Sequence, residues 1–420
     1  MIDRRNFCLA AGLPAATSWL GACGGGRFDT DAPARWATVA MRAAALAPPP
    51  GLPPFISARA YAIAFLAAHN ALQAISPLYA SYLPTDRAPG ANVDAAIASA
   101  AHDVLVHELP FATALLDSEY ASAIAAINGG GSKPKGIELG QRCAAAMLAH
   151  RADDGLAQTE APFTEGVNPG EYRFIPPLLF AAGVGLGTHW KPFSIASAAA
   201  YRVAAPYAVT DAAYTADYNE VKTLGAAVGS TLTADQSEIG KFWLENTNDA
   251  WMQIALQLAD KRDLPGWALM RALALIQMAQ TDAYIACLES KYFYKFWRPM
   301  TAIQLAGSDG NPATTPDAAW VSFDFPCPPV PDYPSGHAAS GGAGEAVLAA
   351  LFGGDRADFT HQSVSLPGPT RSFSSFSQAS TEIAASRVYV GYHFRAATVA
   401  GLAQGRLVGQ QVRSQLAPRF

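Results

Sequence analysis

Charged side chains are scarce in this sequence, and neither sign dominates. Among 420 residues, 29 are Lys or Arg and 34 are Asp or Glu, which gives a formal net charge of −5. A slightly acidic chain does not attract polyanions as a whole, which argues against nucleic acid and anionic membrane surfaces as partners. Any anion that binds must therefore be held by a local group of cations.

Cysteine is also rare, with five in the chain. Beyond Cys23, only Cys143, Cys287 and Cys327 remain, with no Cys-x-x-Cys pair among them. This pattern excludes a disulfide framework and a zinc site of the usual spacing, although one disulfide among the three stays open. Two common motifs are also absent. Residues 129–133 lack the spacing of a nucleotide-binding P-loop, and the Gly-x-Ser-x-Gly motif of serine hydrolases does not occur.

Long apolar runs are absent after the first two dozen residues, so we expect no membrane-spanning helix there. Arg4-Arg5 followed by the apolar residues 8–20 resembles a twin-arginine export signal, and the text up to Cys23 resembles a bacterial lipobox. We therefore expect residues 1–22 to be a signal peptide removed on export to the periplasm or outer surface. Lipid added to Cys23 would anchor the chain through a flexible tether at residues 23–35. An ordinary cleaved signal with an incidental cysteine is the alternative.

Hydrophobic residues make up half of the chain, and their spacing is mostly helical. The periodicity predicts helices at residues 58–75, 93–116, 136–152, 211–228, 234–259, 266–296, 338–351 and 380–416. Pro- and Gly-rich segments such as 323–334 read as loops, and the Ser-rich segment 360–380 with His361 reads as a loop that could form a lid.

Because alternating strand patterns are few, we predict an all-α helical bundle. An N-terminal helical layer would occupy residues 36–239, and a catalytic bundle would occupy residues 240–420. The helices within residues 36–75 are compatible with a homodimer.

Three short segments in the last third of the chain carry the candidate chemistry. The first contains Lys291 and Arg298-Pro299. On a continuous helix these two cations would differ by about 20° in azimuth and two turns in height, so both could reach one anion. Aromatic residues between them favour a buried helix, whose charges need a partner. Taken alone, such a pair usually belongs to a solvated helix face.

The second segment is Pro334-Ser335-Gly336-His337, which precedes a run of small residues that predicts a helix. Ser335 is a natural N-cap, and Gly336 allows a ligand to approach the backbone. The N–H groups and the macrodipole at a helix start favour an anion. His337 in the first turn could transfer a proton. The alternative is a capping serine beside a surface histidine.

The third segment is Ser386-Arg387 with His393, within the predicted helix 380–416. Arg387 would be a third cation. His393 is the best candidate to contact the central atom of an oxyanion, because neutral imidazole is a good nucleophile and metal ligand. A helical histidine alone is more often a satisfied core residue.

The order, spacing and flanking residues of these segments resemble the superfamily of vanadium-dependent haloperoxidases and type 2 phosphatidic acid phosphatases. The resemblance covers most of the chain after residue 35. It includes residues 36–75, 151–155, 190–193, 218–222 and 241–243, which are similar to soluble bacterial haloperoxidase-like members. It implies the helical bundle of those enzymes, with the pocket at the end of one bundle.

The resemblance also implies roles for the candidate residues. The oxygens of the oxyanion would be bound by Lys291, Arg298, Ser335, Gly336 and Arg387.

On the leading interpretation, His393 is the ligand of a vanadate cofactor in an enzyme that oxidises halide with hydrogen peroxide. The first alternative is a periplasmic acid phosphatase that needs no vanadate, in which His393 is phosphorylated by a phosphomonoester. In either enzyme His337 would be the general acid–base, and Arg298 would complete the catalytic set. The second alternative is a lipid-anchored protein that binds an oxyanion without turnover.

Two positions depart from the family pattern. An Asp often follows the nucleophilic histidine by four residues, but Ala397 stands there, so the partner that orients His393 must come from elsewhere. This departure weakens the phosphatase interpretation more than vanadate binding. Val330 occupies the position seven residues before His337, where the haloperoxidases tend to have His or Phe, which leaves the halide open.

Overall fold

The described part of the chain comprises residues 30–49, 51–158 and 162–419 of a computed structural model. The predicted signal peptide (1–22), the predicted lipidation site Cys23 and residues 24–29 of the predicted tether lie outside it. The first helix begins at Ala32, inside the segment predicted as a tether. None of the described helices combines the length and the apolar character needed to cross a membrane.

The architecture of the described residues is an all-α bundle, as predicted. Its helices are α1 (Ala32–Ala44), α2 (Pro54–Ile75), α3 (Val93–Glu108), α4 (Thr113–Ala126), α5 (Ser132–Arg151), α6 (Leu186–His189), α7 (Ala212–Leu224), α8 (Ala234–Phe242), α9 (Thr247–Lys261), α10 (Gly266–Tyr294), α11 (Pro299–Leu305), α12 (Gly336–Leu351), α13 (Phe376–Tyr389) and α14 (Arg395–Val412). Strands β1 (Arg356–Gln362) and β2 (Thr370–Ser375) form an antiparallel hairpin.

Helix α10 is the central element of the bundle. It is buried on all sides from Gly266 to Lys291, which is the expected environment of a helix without a polar face. On the N-terminal side, α10 packs against α2, which in turn contacts α3 and α5. On the C-terminal side, it packs against α12 and α14. Because α10 packs against both groups, the position of the buried Lys291 near its end is fixed by both.

Helices α12 and α14 approach each other closely, because glycine and alanine line the contact. A Cβ on Gly401 would lie 2.3 Å from the Ser335 carbonyl oxygen, and one on Gly405 would lie 1.9 Å from that of Ala339. The Ser335 N–H also donates to the Ala397 carbonyl oxygen at 2.8 Å. The small residues after His337 therefore allow α12 to pack closely against α14, and this packing fixes the start of α12.

Several predicted boundaries were wrong. The predicted helix 234–259 is two helices, because α8 ends at Phe242 and Asn246 caps the start of α9. The predicted helix 380–416 is also two, α13 and α14. Part of the predicted loop 360–380 is the β1–β2 hairpin, in which the residues of β1 alternate between exposed and buried.

Gly391 explains why the helix before His393 stops. Its φ is +77°, a left-handed conformation that most side chains disfavour. A Cβ at this position would also lie 2.3 Å from the carbonyl oxygen of Gly225, so the backbones nearly touch. The turn lets His393 leave the helix axis.

We expect Gly391→Ala to destabilise the protein strongly, since it combines backbone strain with a steric clash. Gly229 is a matched control, because its φ is also +77° but a Cβ there would meet nothing within 4 Å. Gly229→Ala should cost about 1–2 kcal/mol from strain alone. Gly391→Ala should lower the free energy of unfolding by at least about 2 kcal/mol more. Chemical denaturation measures both, and equal losses would contradict this account.

Candidate active site for an oxyanion

The candidate site forms where the end of α10, the starts of α11 and α12, and the turn after α13 meet. Lys291, Arg298, Arg387 and His337 are all close enough to His393 to lower its pKa electrostatically. The structure therefore places the three predicted cations and both predicted imidazoles together. Ser335 and Gly336 join this group at the start of α12, where the Ser335 hydroxyl accepts from the Ala338 N–H. The anion-binding roles of these residues stay predictions.

Lys291 and Arg298 do not share a continuous helix, which corrects the expectation from their spacing. Helix α10 ends at Tyr294, and Lys295 adopts a left-handed conformation with φ of 51°. Arg298 is the N-cap residue of α11, ahead of Pro299. Both side chains are almost completely buried, with exposures of 3% and 1%.

The loop between α11 and α12 binds both cations through its backbone carbonyls. Lys291 Nζ donates to the carbonyl oxygens of Pro331 and Asp332 at 2.6 and 3.0 Å. Arg298 Nε donates to the carbonyl oxygen of Val330 at 2.7 Å. Carbonyl oxygens orient a cation without cancelling its charge, as a carboxylate would. The charges of Lys291 and Arg298 therefore remain available to an anion.

Asp332 supplies the partner of His393 that Ala397 does not. Its Oδ1 lies 2.7 Å from His393 Nδ1, and both side chains are buried. On the other side of the ring, Arg298 Nη1 lies 3.1 Å from Nε2. A guanidinium only donates, so Nε2 must be the acceptor and the ring proton must be on Nδ1, where it bonds Asp332. The two contacts together leave Nε2 unprotonated, with its lone pair accepting from Arg298.

Burial sets the charge state of these groups. It lowers the pKa of His393 well below its usual range, with Arg298 and Lys291 adding to the effect, so the ring is neutral. Burial also lowers the pKa of Lys291 to about 8 and that of Arg387 to about 10. It raises the pKa of Asp332 to about 7, while Arg298 and Lys291 oppose the rise.

His337 and Arg387 meet at the backbone of Trp243. Arg387 Nη2 donates to the Trp243 carbonyl oxygen at 2.9 Å. The His337 ring is also hydrogen-bonded to the Trp243 backbone, which partly offsets the lowering of its pKa by burial. His337 Nε2 is buried and has no hydrogen-bond partner among the described residues. His337 Nε2 therefore remains available as a proton acceptor.

The charges of the site do not balance. Opposite the cations of Lys291, Arg298 and Arg387 stand Asp332 and Asp324, and Asp324 already accepts from the Tyr392 hydroxyl. A buried excess of positive charge is costly unless an anion compensates it. Three nearly buried cations, an unpaired His337 Nε2 and the start of α12 therefore suit a tetrahedral oxyanion such as phosphate or vanadate.

Two features of the site were missed by sequence reasoning. The first is Asp332. It is the one charged residue in the segment from Pro326 to Gly336, and this isolation could have marked it as a candidate site residue. The second is the set of carbonyls from Trp243 and the 328–332 loop. Every residue has a backbone carbonyl group, so no sequence motif could have predicted which of them bind the cations. The three cysteines of the described chain, Cys143, Cys287 and Cys327, are free and buried.

Part of the C-terminal bundle is similar to a known family. Residues 271–419 match the family model described as the VCPO second helical-bundle domain. A vanadium chloroperoxidase from Curvularia inaequalis is 38% identical over 82 residues, which span 17% of this chain and 13% of the relative's length. The chain thus covers about an eighth of that relative.

Similarity to solved structures extends over nearly the whole chain. A crystal structure described as the first bacterial vanadium-dependent iodoperoxidase superposes with a TM-score of 0.80 at 25% identity, and covers 92% of this chain and 98% of its own. A holo-type bacterial vanadium-dependent chloroperoxidase superposes with a TM-score of 0.72 at 18% identity, and covers 93% and 98%. The second likeness shows the fold alone.

We expect Asp332→Asn to weaken oxyanion binding about 10- to 100-fold, because the amide keeps the shape of the side chain but removes the charged acceptor of His393 Nδ1–H. Calorimetric titration with orthovanadate measures the loss. Asp103→Asn is the control, since Asp103 bonds His102 Nδ1 at 2.8 Å on α3, which packs against other helices. An unchanged affinity in Asp332→Asn would show that this pairing does not support the site.

The low pKa of Lys291 predicts a pH dependence of anion affinity. Its charge is complete below about pH 8 and is lost as the pH rises through that value. The ratio of the phosphate affinities of the wild type and Lys291→Gln should therefore be about 10 or more at pH 7 and fall toward 1 above pH 9. The ratio cancels the titration of phosphate itself. A ratio that does not change with pH would mean that Lys291 keeps its charge.

Proposed function

We propose that this chain, whose residues 271–419 belong to the family of the vanadium chloroperoxidase second helical bundle, is a vanadate-dependent haloperoxidase-like enzyme. It would oxidise a halide with hydrogen peroxide. The likeness to a bacterial vanadium iodoperoxidase over 92% of the chain supports this proposal.

The observation that carries the proposal is the state of His393. Its Nε2 is an unprotonated acceptor, because the ring proton stays on Nδ1, which donates to Asp332 Oδ1, and the low pKa keeps the ring neutral. This nitrogen accepts a hydrogen bond from the Arg298 guanidinium, and its lone pair could bind the central atom of an oxyanion once that guanidinium turns to the oxyanion's oxygens.

The residues present fit vanadate. Lys291, Arg298 and Arg387 would bind its oxygens, together with Ser335 and the N–H groups at the start of α12 from Gly336 onward. His393 Nε2 would bind the vanadium. When bound, vanadate supplies a Lewis-acidic centre that activates hydrogen peroxide toward a halide. The buried cations would hold the accumulating negative charge in a fixed geometry, which is the electrostatic contribution of the protein.

His337 would move the proton that the reaction needs. Conversion of hydrogen peroxide and halide to hypohalous acid and water consumes one proton. His337 Nε2 has no protein partner, and its low pKa leaves it unprotonated at neutral pH. It would take a proton from the incoming peroxide and return it to the departing oxygen, and the one proton consumed overall would come from solvent.

Iodide is the halide that we expect to react fastest. It is the most easily oxidised of iodide, bromide and chloride, and the relative that is 25% identical over most of the chain is described as an iodoperoxidase. Val330 adds no large side chain at the position where the family tends to have His or Phe.

Phosphomonoester hydrolysis is a second candidate, because Asp332 removes the objection raised by Ala397. The Asp332–His393 pair has the orientation that a phosphorylated histidine would need, with Nε2 unprotonated and able to attack once Arg298 turns to the phosphoryl oxygens. The same cations would bind the phosphoryl oxygens. Cleavage of an aryl phosphate that is inhibited by vanadate and lost in His393→Ala would support it.

We also propose export and anchoring through the segment that ends at Cys23. The support is the sequence pattern, with Arg4-Arg5, an apolar stretch and a lipobox-like site. In a bacterial host, Cys23→Ser should move the protein from the membrane fraction to the soluble periplasmic fraction. Recovery of both forms in the soluble fraction would contradict the anchor.

The direct test of the proposed activity is halide oxidation by the protein loaded with one equivalent of orthovanadate. We expect peroxide-dependent oxidation of iodide, loss of at least about 99% of the rate in His393→Ala, and an unaltered rate in His102→Ala. His102 is a suitable control because it bonds two carboxylates on the outside of the bundle.

A loaded wild type that oxidises none of the three halides would contradict the haloperoxidase proposal. If it also left aryl phosphates intact, the remaining function would be oxyanion binding without turnover.

A further inference from the structure

The carbonyl of Trp243 is shared by two residues of the site. It lies at the C-cap of α8, where a helix leaves carbonyl groups without intrahelical partners and carries partial negative charge. Arg387 Nη2 donates a hydrogen bond to it, and the His337 ring interacts with the same backbone. The position of this one peptide group therefore orients both a cation and the candidate acid–base.

The side chain of Trp243 is fixed by partners outside the site. Its ring is fully buried and stacks on His361, with centroids 5.4 Å apart and an interplanar angle of 16°. Its Nε1–H donates to Glu382 at 2.8 Å, and Arg371 holds that carboxylate in turn. The ring cannot shift without moving the hairpin, because His361 lies on β1 and Phe373, also against the ring, lies on β2.

The hairpin and the residues after β1 also form hydrogen bonds with Phe242 and Glu245, on either side of Trp243. His361 Nε2 lies 2.5 Å from Glu245 Oε1, and the Val364 N–H donates to the other oxygen of the same carboxylate at 3.1 Å. Ser363 Oγ donates to the carbonyl oxygen of Phe242, the residue before Trp243. Glu245 and His361 are buried, with exposures of 3% and 4%. The connection between α8 and α9 is thus held on both sides of Trp243.

We propose that the buried His361–Glu245 pair positions the active site, by fixing the Trp243 carbonyl that orients Arg387 and His337. Neither residue contacts the anion, so both are positioning residues. The inference deepens the proposed function and rests on it for the effect on catalysis. Small displacements of groups that bind a transition state are costly, which explains why a polar pair is retained in the core.

A local role in hairpin stability is the competing explanation, and a matched pair of variants separates the two. His361→Phe keeps an aromatic ring against Trp243 but removes the bond to Glu245. His102→Phe is the control, because His102 likewise stacks on an aromatic ring, Tyr120, and bonds carboxylates, but belongs to α3. His361→Gln restores an N–H donor. Glu245→Gln keeps the shape of the other member of the pair but removes its charge, for use if His361→Phe does not fold. Ser363→Ala is a milder change to the contact with Phe242.

The experiment measures orthovanadate affinity by calorimetry and, without any anion, the NMR signals of the His337 ring and the Arg387 guanidinium. We expect the affinity of His361→Phe to fall about 10-fold and to recover in part in His361→Gln. The signals of His337 and Arg387 should shift in His361→Phe, and in Ser363→Ala to a smaller degree. His102→Phe should change neither, whatever its stability.

Unshifted His337 and Arg387 signals in folded His361→Phe, or in Glu245→Gln if His361→Phe does not fold, would overturn the inference. The same holds if His361→Phe binds vanadate as tightly as the wild type does. The signals need no anion, so they decide the inference even if the wild type binds no vanadate, which would refute only the proposed function.

Discussion

The structure depends on the burial of three cations without matching carboxylates. Backbone carbonyls of the 328–332 loop and of Trp243 hold Lys291, Arg298 and Arg387, so each side chain is oriented and keeps its charge. Such a group is unfavourable in an empty core, and its free energy becomes favourable when a multivalent anion enters. The rest of the fold serves to keep these carbonyls in place.

That constraint explains why the helices break where they do. Helix α10 must end before Arg298, α8 must end at Phe242, and α13 must end before Gly391, because each break presents a carbonyl or a side chain to the pocket. The rigid elements lie behind these breaks, with α10 buried along most of its length and α12 in close contact with α14. Loops therefore supply the chemistry, and packed helices fix the loops.

The sequence predicted the fold class and the members of the site, because helical periodicity and the Lys291, His337 and His393 segments are properties of side chains. It did not predict the breaks inside helices, since these depend on capping at Asn246 and on the contact of Gly391 with a distant backbone. Asp332 was not predicted, because the family pattern places the carboxyl partner of the histidine at position 397. The carboxyl group occupies the same side of the imidazole from a different element.

The most direct test of the account is a crystal structure of the protein with orthovanadate. The account predicts vanadium bonded to His393 Nε2, its oxygens in contact with Lys291, Arg298 and Arg387, and Asp332 still hydrogen-bonded to Nδ1. Vanadate bound outside this pocket, or inside it without a bond to His393, would contradict the account.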